Sequence, residues 1–253
     1  MTKPLLVFSV LSVLIFNCKQ SPVQNANHIT DKSIEISGGE LLKRSAVKFD
    51  FRDKHYTAIR DNGSFVLERT FINDSVIVAD KLSNNGFERL VDNKPAKIPD
   101  SMIPRYSASV NSVHYFSVLP YGLNDAAVNK DYIGKATVKN ENYHKIKVTF
   151  NQEGGGEDFE DVFVYWVNSK NYKVDYLAYS YSESHGIGLR FREAYNERFV
   201  KGIRFVDYNN FRSADTNIKL EELDMFFEKG QLELLSKIEL KNIEVNLLSV
   251  PDA

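Results

Sequence analysis

Three groups of residues in this sequence are of the right type for chemistry. The first is acidic. In NQEGGGEDFEDVFVYW, Asn151 to Trp166, three glycines stand among Glu153, Glu157, Asp158, Glu160 and Asp161. Oxygen ligands at that density suit a hard cation. However, the spacing is not that of an EF-hand, and no G-x-x-x-x-G-K-[ST] phosphate loop accompanies the glycines. The stretch is expected to be a glycine turn between two strands, with the mouth of a ligand site as the alternative. The second group is the histidines: His28, His55, His114, His144 and His185. None pairs at H-x-x-x-H or H-x-H spacing, whereas catalytic zinc takes three protein ligands. No metal and no cofactor are expected, and no catalytic residue stands out because no G-x-S-x-G elbow occurs.

The third group is charged residues inside strand-like runs. Glu68 and Arg69 fall within VLERTF, and Arg190 and Arg192 within LRFREAYNERF. Period-2 alternation places Arg190 and Arg192 on one face and Phe191 and Glu193 on the other. Such charges commonly pair across strands on an exposed face. Alternatively they line a cavity and orient the polar end of a ligand whose apolar part meets aromatic rings. The candidate ligand-binding set is therefore Glu68, Arg69, Tyr165, Trp166, Tyr179, Arg190, Arg192 and Tyr208; for the aromatics, plain core is the competing role.

Hairpins must position these residues. SAVKFDFRD alternates, and Asp61-Asn62-Gly63 and Asn84-Asn85-Gly86 sit between alternating runs as turn signals. Further strand runs are GKATVKN, YHKIKVTFNQ, FEDVFVYWVN, YKVDYLAYSYSE, GLRFREAYNERF and GIRFVDYNNFR. A helix is expected from about Pro104 to Leu119, with proline at its start and Pro120 as its stop. SADTNIKLEELDMFFEKG reads as a second helix, capped by Asp215 or Thr216 and ended by Gly230. Near the C-terminus the alternation shifts phase between Leu240 and Ile243, which implies a bulge near Lys241-Asn242. The fold class expected is α+β, mostly β: one curved antiparallel sheet of about eleven strands, a half-barrel, with two covering helices.

The chain has 253 residues, a formal net charge of −2, 43% hydrophobic and 12% aromatic residues. That is ample apolar material for a core. The near-neutral charge argues against nucleic acid as a partner. The N-terminus, MTKPLLVFSVLSVLIFNCKQ, has a positive Lys3, then an apolar run from Leu5 to Phe16 of signal-peptide length. It ends at Cys18, the one cysteine, in a context resembling a bacterial lipobox, so Cys18 is expected to carry lipid. The expected organisation is a lipoprotein signal peptide at 1–17, a polar tether at 18–33 and a single half-barrel domain at 34–253.

The ordered segments HYTAIRDNGSFVLERTF, NSVHYFSVLPYGLNDAAVNK, YHKIKVTFNQEGGGEDFEDVFVYW, LRFREAYN and GIRFVDYNN resemble a family of uncharacterised Bacteroidota lipoproteins. The architecture is similar to lipoprotein carriers of the LolA type, in which helices cover the apolar concave face of a half-barrel. Some members of the family are labelled deoxyribose-phosphate aldolase. Such an aldolase uses a (β/α)₈ barrel, and hairpin follows hairpin here. What the resemblance and the residues together imply is a non-enzymatic protein of the bacterial envelope. Cys18 would anchor it to a membrane, expected to be the outer membrane, facing the periplasm or the cell surface. It would bind a hydrophobic or amphiphilic ligand between sheet and helices. The alternatives are an envelope enzyme with Glu68, Arg69, Arg190 and Arg192 in its cavity, or a structural envelope protein that recruits a partner.

Overall fold

The computed structural model describes residues 25–156, 159–183, 186–215 and 217–249. Cys18 and the signal-peptide segment lie outside the described residues. So do Glu157, Asp158, His185 and Thr216.

Two seven-stranded sheets make the frame, both antiparallel throughout. The first is a meander of β1 (Arg44–Phe51), β2 (Lys54–Asp61), β3 (Ser64–Asn73), β4 (Val76–Ser83), β5 (Gly86–Val91) and β6 (Lys94–Pro95). The second is a meander of β7 (Val128–Val138), β8 (Glu141–Phe150), β9 (Val162–Asn168), β10 (Val174–Glu183), β11 (Gly186–Val200), β12 (Ile203–Arg212) and β13 (Glu233–Ile238). The last strand, β14 (Lys241–Leu247), returns to the first sheet and pairs with β1. Neither sheet closes on itself.

The hairpins follow from backbone chemistry. Two-residue loops whose central residues both have positive φ match the right-handed twist of the strands they join. Asn62-Gly63 is such a loop, at φ 48° and 98°, as its sequence suggests. Asp74-Ser75, Asp92-Asn93, Lys139-Asn140 and Lys201-Gly202 adopt the same form with weaker sequence signals.

The phase shift near Lys241-Asn242 has two components. The register of β1 against β14 slips between Lys48 and Asp50, opposite residues 241–244, so a bulge is present. Just before it, at 239–240, the chain also leaves the second sheet for the first. Alternation on the two sides of this seam therefore refers to different sheets. The expected single sheet is thus two sheets sharing this seam, and the strands number fourteen among the described residues.

Four α-helices are present among the described residues: α1 (Ala26–Ile36), α2 (Gly39–Leu42), α3 (Ile103–Ser117) and α4 (Leu223–Glu228). α3 matches its expected span to within two residues and carries proline in its first turn. α1 begins inside the segment expected to be tether. Its Asn25 side chain caps it, and Ala26 and Ile29 are buried. The polar run is therefore folded from Ala26 onward, because its few apolar residues recur on one face. α2 meets β12 closely: a Cβ on Gly38 would stand 2.3 Å from the Gly202 carbonyl oxygen, and Gly38 has φ 81°. Only glycine fits there.

The second expected helix is shorter than its sequence suggests. Ser213 and Asp215 accept hydrogen bonds from the Asp215 and Asn217 backbone N–H groups, an alternative to the helical ladder. Helix forms only from a 3₁₀ turn at Leu220–Glu222 into α4. Its end is as expected: Gly230 at φ 66° and Gln231 donate to the Phe227 and Phe226 carbonyls, a Schellman motif.

β9 is covered on both faces. Phe163, Tyr165 and Val167 pack toward α1 and α3, with Ile146, Leu177 and Tyr208. Val164 and Trp166 pack toward α4, with Tyr176, Phe191 and Leu223. α3 sits between the sheets. Val110 meets Ala58 and Leu67 of the first sheet, while Tyr115 and Phe116 pack on the second. No helix among the described residues is long and apolar enough to cross a membrane.

Candidate functional site

A cavity of about 820 Å³ lies between α3 and the inner face of the second sheet. It falls within the range of small-molecule sites, roughly 300–1,000 Å³. Its sheet wall is Phe163 of β9, Tyr179 of β10, Arg192 of β11, and Val206 and Tyr208 of β12. Its helical wall is Ser112, Tyr115 and Phe116 of α3, and Phe51 and Phe65 come from the first sheet. The seam contributes Ile238 and Leu240.

The strand register makes this wall. Phe163 is paired with Tyr179, and Tyr179 with Arg190. Arg192 falls opposite Leu177, on the same face. Phe163 and Tyr179 stack at 5.3 Å between ring centroids, and Phe116 meets Tyr179 at 5.4 Å. Beneath them the Tyr115 and Tyr165 hydroxyls are 2.8 Å apart, and burial raises both pKa values. They remain neutral phenols, donors and acceptors rather than charges.

Arg192 is the cation of the lining. Its residue is 7% exposed. The Cζ atom stands 3.9 Å from the Phe116 ring centroid and 5.0 Å from that of Tyr179. Nη2 donates to the Tyr179 hydroxyl at 2.7 Å. No carboxylate of the described residues pairs with it, and its buried Nε has no acceptor. The acidic groups lie at Asp125, Glu160 and Asp161, with Gly154 to Gly156 beside them. Burial raises the pKa of Asp125. The glycine-rich stretch is therefore a turn between β8 and β9, and it also borders the cavity.

The structure brings three of the eight candidate ligand residues, Tyr179, Arg192 and Tyr208, into the lining and leaves the others outside it. Glu68 accepts from the Thr70 hydroxyl and faces Lys81. Arg69 is held by Asp80 and Ser109. Tyr165 is fully buried under Tyr115. Trp166 points to the opposite face, beneath α4, because strand alternation carries it there. Arg190 lies over the Tyr181 ring and donates to the Leu189 carbonyl. Tyr115, Ser112 and Asp125 belong to the lining and were not singled out by the sequence. The signal for Tyr115 was available: beside Phe116 it widens the apolar stripe of α3 to two faces, as a helix sandwiched between sheets requires.

Among the described residues no group of three or more His, Cys, Asp or Glu side chains is placed to hold a metal ion. The four described histidines do not converge: His114 is on the buried face of α3 with its Nε2 at the Glu68 carbonyl, and His55 lies at the surface beside Asp50.

No curated protein matches the chain. Among solved structures it is similar to a LolA superfamily protein from Nitrosomonas europaea, at 12% identity and a TM-score of 0.49, covering 89% of this chain and 94% of that one. It is also similar to a DUF1329 family protein from Desulfovibrio piger, at 11% identity and a TM-score of 0.39, covering 82% and 99%. A family model matches residues 4–240, almost the whole of the described domain. The chain belongs to the family of unknown function DUF6503.

Proposed function

We propose that this protein is a non-enzymatic lipoprotein of the bacterial envelope that holds an amphiphilic, lipid-like ligand between α3 and the second sheet. The observation that carries this reading is the cavity of about 820 Å³ with an aromatic wall and, among the described lining residues, one cation, Arg192. Its surfaces suit each end of an amphiphile. Phe116, Phe163 and Tyr179 offer a cluster of rings to an alkyl chain, and removing that chain from water supplies the affinity, about 0.8 kcal/mol per buried CH₂. Arg192 and the phenols offer hydrogen bonds to the head. Lipid on Cys18 would keep the domain at a membrane surface, where such ligands are found.

The wall is held from behind, which keeps the cavity from collapsing. α4 covers the far face of β9 to β11, and Trp166 and Phe191 meet edge to face there at 5.4 Å. A sheet packed on both faces presents a fixed inner surface.

A titration of the full chain with a fluorescent long-chain fatty acid tests the reading. Saturable binding at one site per chain is expected, with competition by unlabelled amphiphile. Fluorescence that rises without saturation, or does not rise, would overturn it.

A further inference from the structure

Burying a charge is costly unless it is paired and hydrogen-bonded. The other buried arginines of the second sheet and of the ladder beneath α3 obey this. Arg69 pairs with Asp80, and Arg204 pairs with Glu197 and Asp175. Arg60 also meets no carboxylate among the described residues, but it lies over the Tyr121 ring, outside the cavity lining. Arg192 is buried, pairs with no carboxylate among the described residues and is part of the cavity wall. A guanidinium has five N–H donors. Among the described residues its hydrogen bonding is confined to the one from Nη2 to Tyr179, so Nη1 and Nε donate to nothing. Tyr208 stands beside it, the ring centroid 5.9 Å from the Arg192 Cζ, and its hydroxyl has no hydrogen bond among the described residues. Tyr179 accepts from Arg192, which leaves its own phenolic proton free to donate. Three groups thus face the cavity with unused donors, and one of them carries a full charge without a counter-charge.

We propose that the ligand bears a singly charged anionic head group, and that Arg192, with the Tyr179 and Tyr208 hydroxyls, is its receptor. This rests on the reading of the cavity as an amphiphile site. The head is an oxyanion, since oxygen accepts from guanidinium and phenol alike. It carries a single charge because Arg192 is the sole cation among the described lining residues, while Asp125, Glu160 and Asp161 line the same space. A second negative charge would find no second cation among the described lining residues. The rings of Phe116 and Tyr179 flank the guanidinium and exclude water from it, which strengthens its bond to an anion. A fatty carboxylate and a phosphodiester headgroup share this chemistry.

Photoreactive probes test the assignment on the full chain in its membrane. Diazirine-bearing hexadecanoic acid, hexadecanol and phosphatidylglycerol are compared, and labelled peptides are located by mass spectrometry. The acid, the phosphatidylglycerol or both are expected to label α3 and β10 to β12 at least about tenfold more than the alcohol, as loss of a charged hydrogen bond implies. Which of the two labels identifies the source of the head group. Arg192→Met is expected to abolish the preference for anions over the alcohol, and Arg192→Lys should retain part of it. Equal labelling of the cavity by alcohol and anions would overturn the head-group assignment and leave the amphiphile site standing. Labelling of the cavity by none of the three would overturn both. The comparison of probes on the unaltered protein decides the point even where a variant fails to fold.

Discussion

Alanine at position 80 is expected to remove about 3–5 kcal/mol of folding stability, the usual cost of breaking a buried charge network by deleting one partner. Asp80 is fully buried. The register places it opposite Arg69 on one neighbouring strand and Arg89 on the other. Its Oδ2 accepts from Arg69 Nη2 at 2.6 Å, and its Oδ1 from Arg89 Nε at 2.5 Å. The two arginines then reach α3: Arg69 donates to Ser109, and Arg89 lies 3.9 Å from the Tyr106 ring centroid. Without the carboxylate, two guanidinium groups would be left together under the helix, Arg69 still buried and Arg89 partly so. Urea unfolding should show a lower midpoint with an unchanged slope. A loss below about 1 kcal/mol would mean that the network behaves like a solvent-exposed pair. Because the ladder lies outside the cavity lining, the folded fraction of the variant should bind ligand as the parent does.

Acidification should act through His114. The side chain is 1% exposed, packed edge to face against Phe49 and Tyr56 at 5.7 and 5.5 Å. Its Nε2 donates to the Glu68 carbonyl. Burial, reinforced by the positive charges of Arg60 and Arg69, lowers its pKa from 6.5 to about 3. The folded state therefore keeps the ring neutral, while the unfolded chain takes up a proton near pH 6.5. This contribution to stability is complete above pH 6.5 and is lost as pH falls toward 3. Between pH 6.5 and 4 it amounts to about 3 kcal/mol, at about 1.4 kcal/mol per pH unit. Glutamine at position 114 keeps a donor for Glu68 and does not titrate. The difference in unfolding free energy between pH 7 and pH 4 should be smaller by about 3 kcal/mol in His114→Gln than in the parent. Carboxylates common to both proteins cancel in that comparison, so equal slopes would contradict a buried neutral His114.

Much of the frame could be read from the sequence because its signals are local. Asn62-Gly63 specifies a hairpin by its own backbone preferences, and Gly230 specifies a helix end. β9, apolar on both faces, announced a strand covered on both sides, and α3 and α4 are what cover it. The division into two sheets was less legible, since the change of sheet at 239–240 and the adjacent bulge leave one and the same phase shift in the pattern. α1 was hidden by its composition: a polar segment folds when a few residues such as Ala26 and Ile29 find a buried partner surface.

The site was legible at the level of residue type. Alternation put Arg192 on the face opposite Phe191, which is where the structure has it. It could not separate Arg192 from Arg69, since both are arginines within strands. What separates them is a partner distant in sequence: Asp80 lies across from Arg69 and nothing equivalent lies across from Arg192. Arg69 is tied to Asp80, whereas Arg192 meets no carboxylate among the described residues.

The central claim, that the cavity holds an amphiphile, is tested most directly by native mass spectrometry of the protein purified from its own membrane. The account predicts a population heavier than the purified chain after denaturation by the mass of one amphiphile, released on denaturation and identified as a singly charged anion. Protein whose native mass equals its denatured mass, with no extractable lipid after gentle purification, would contradict it.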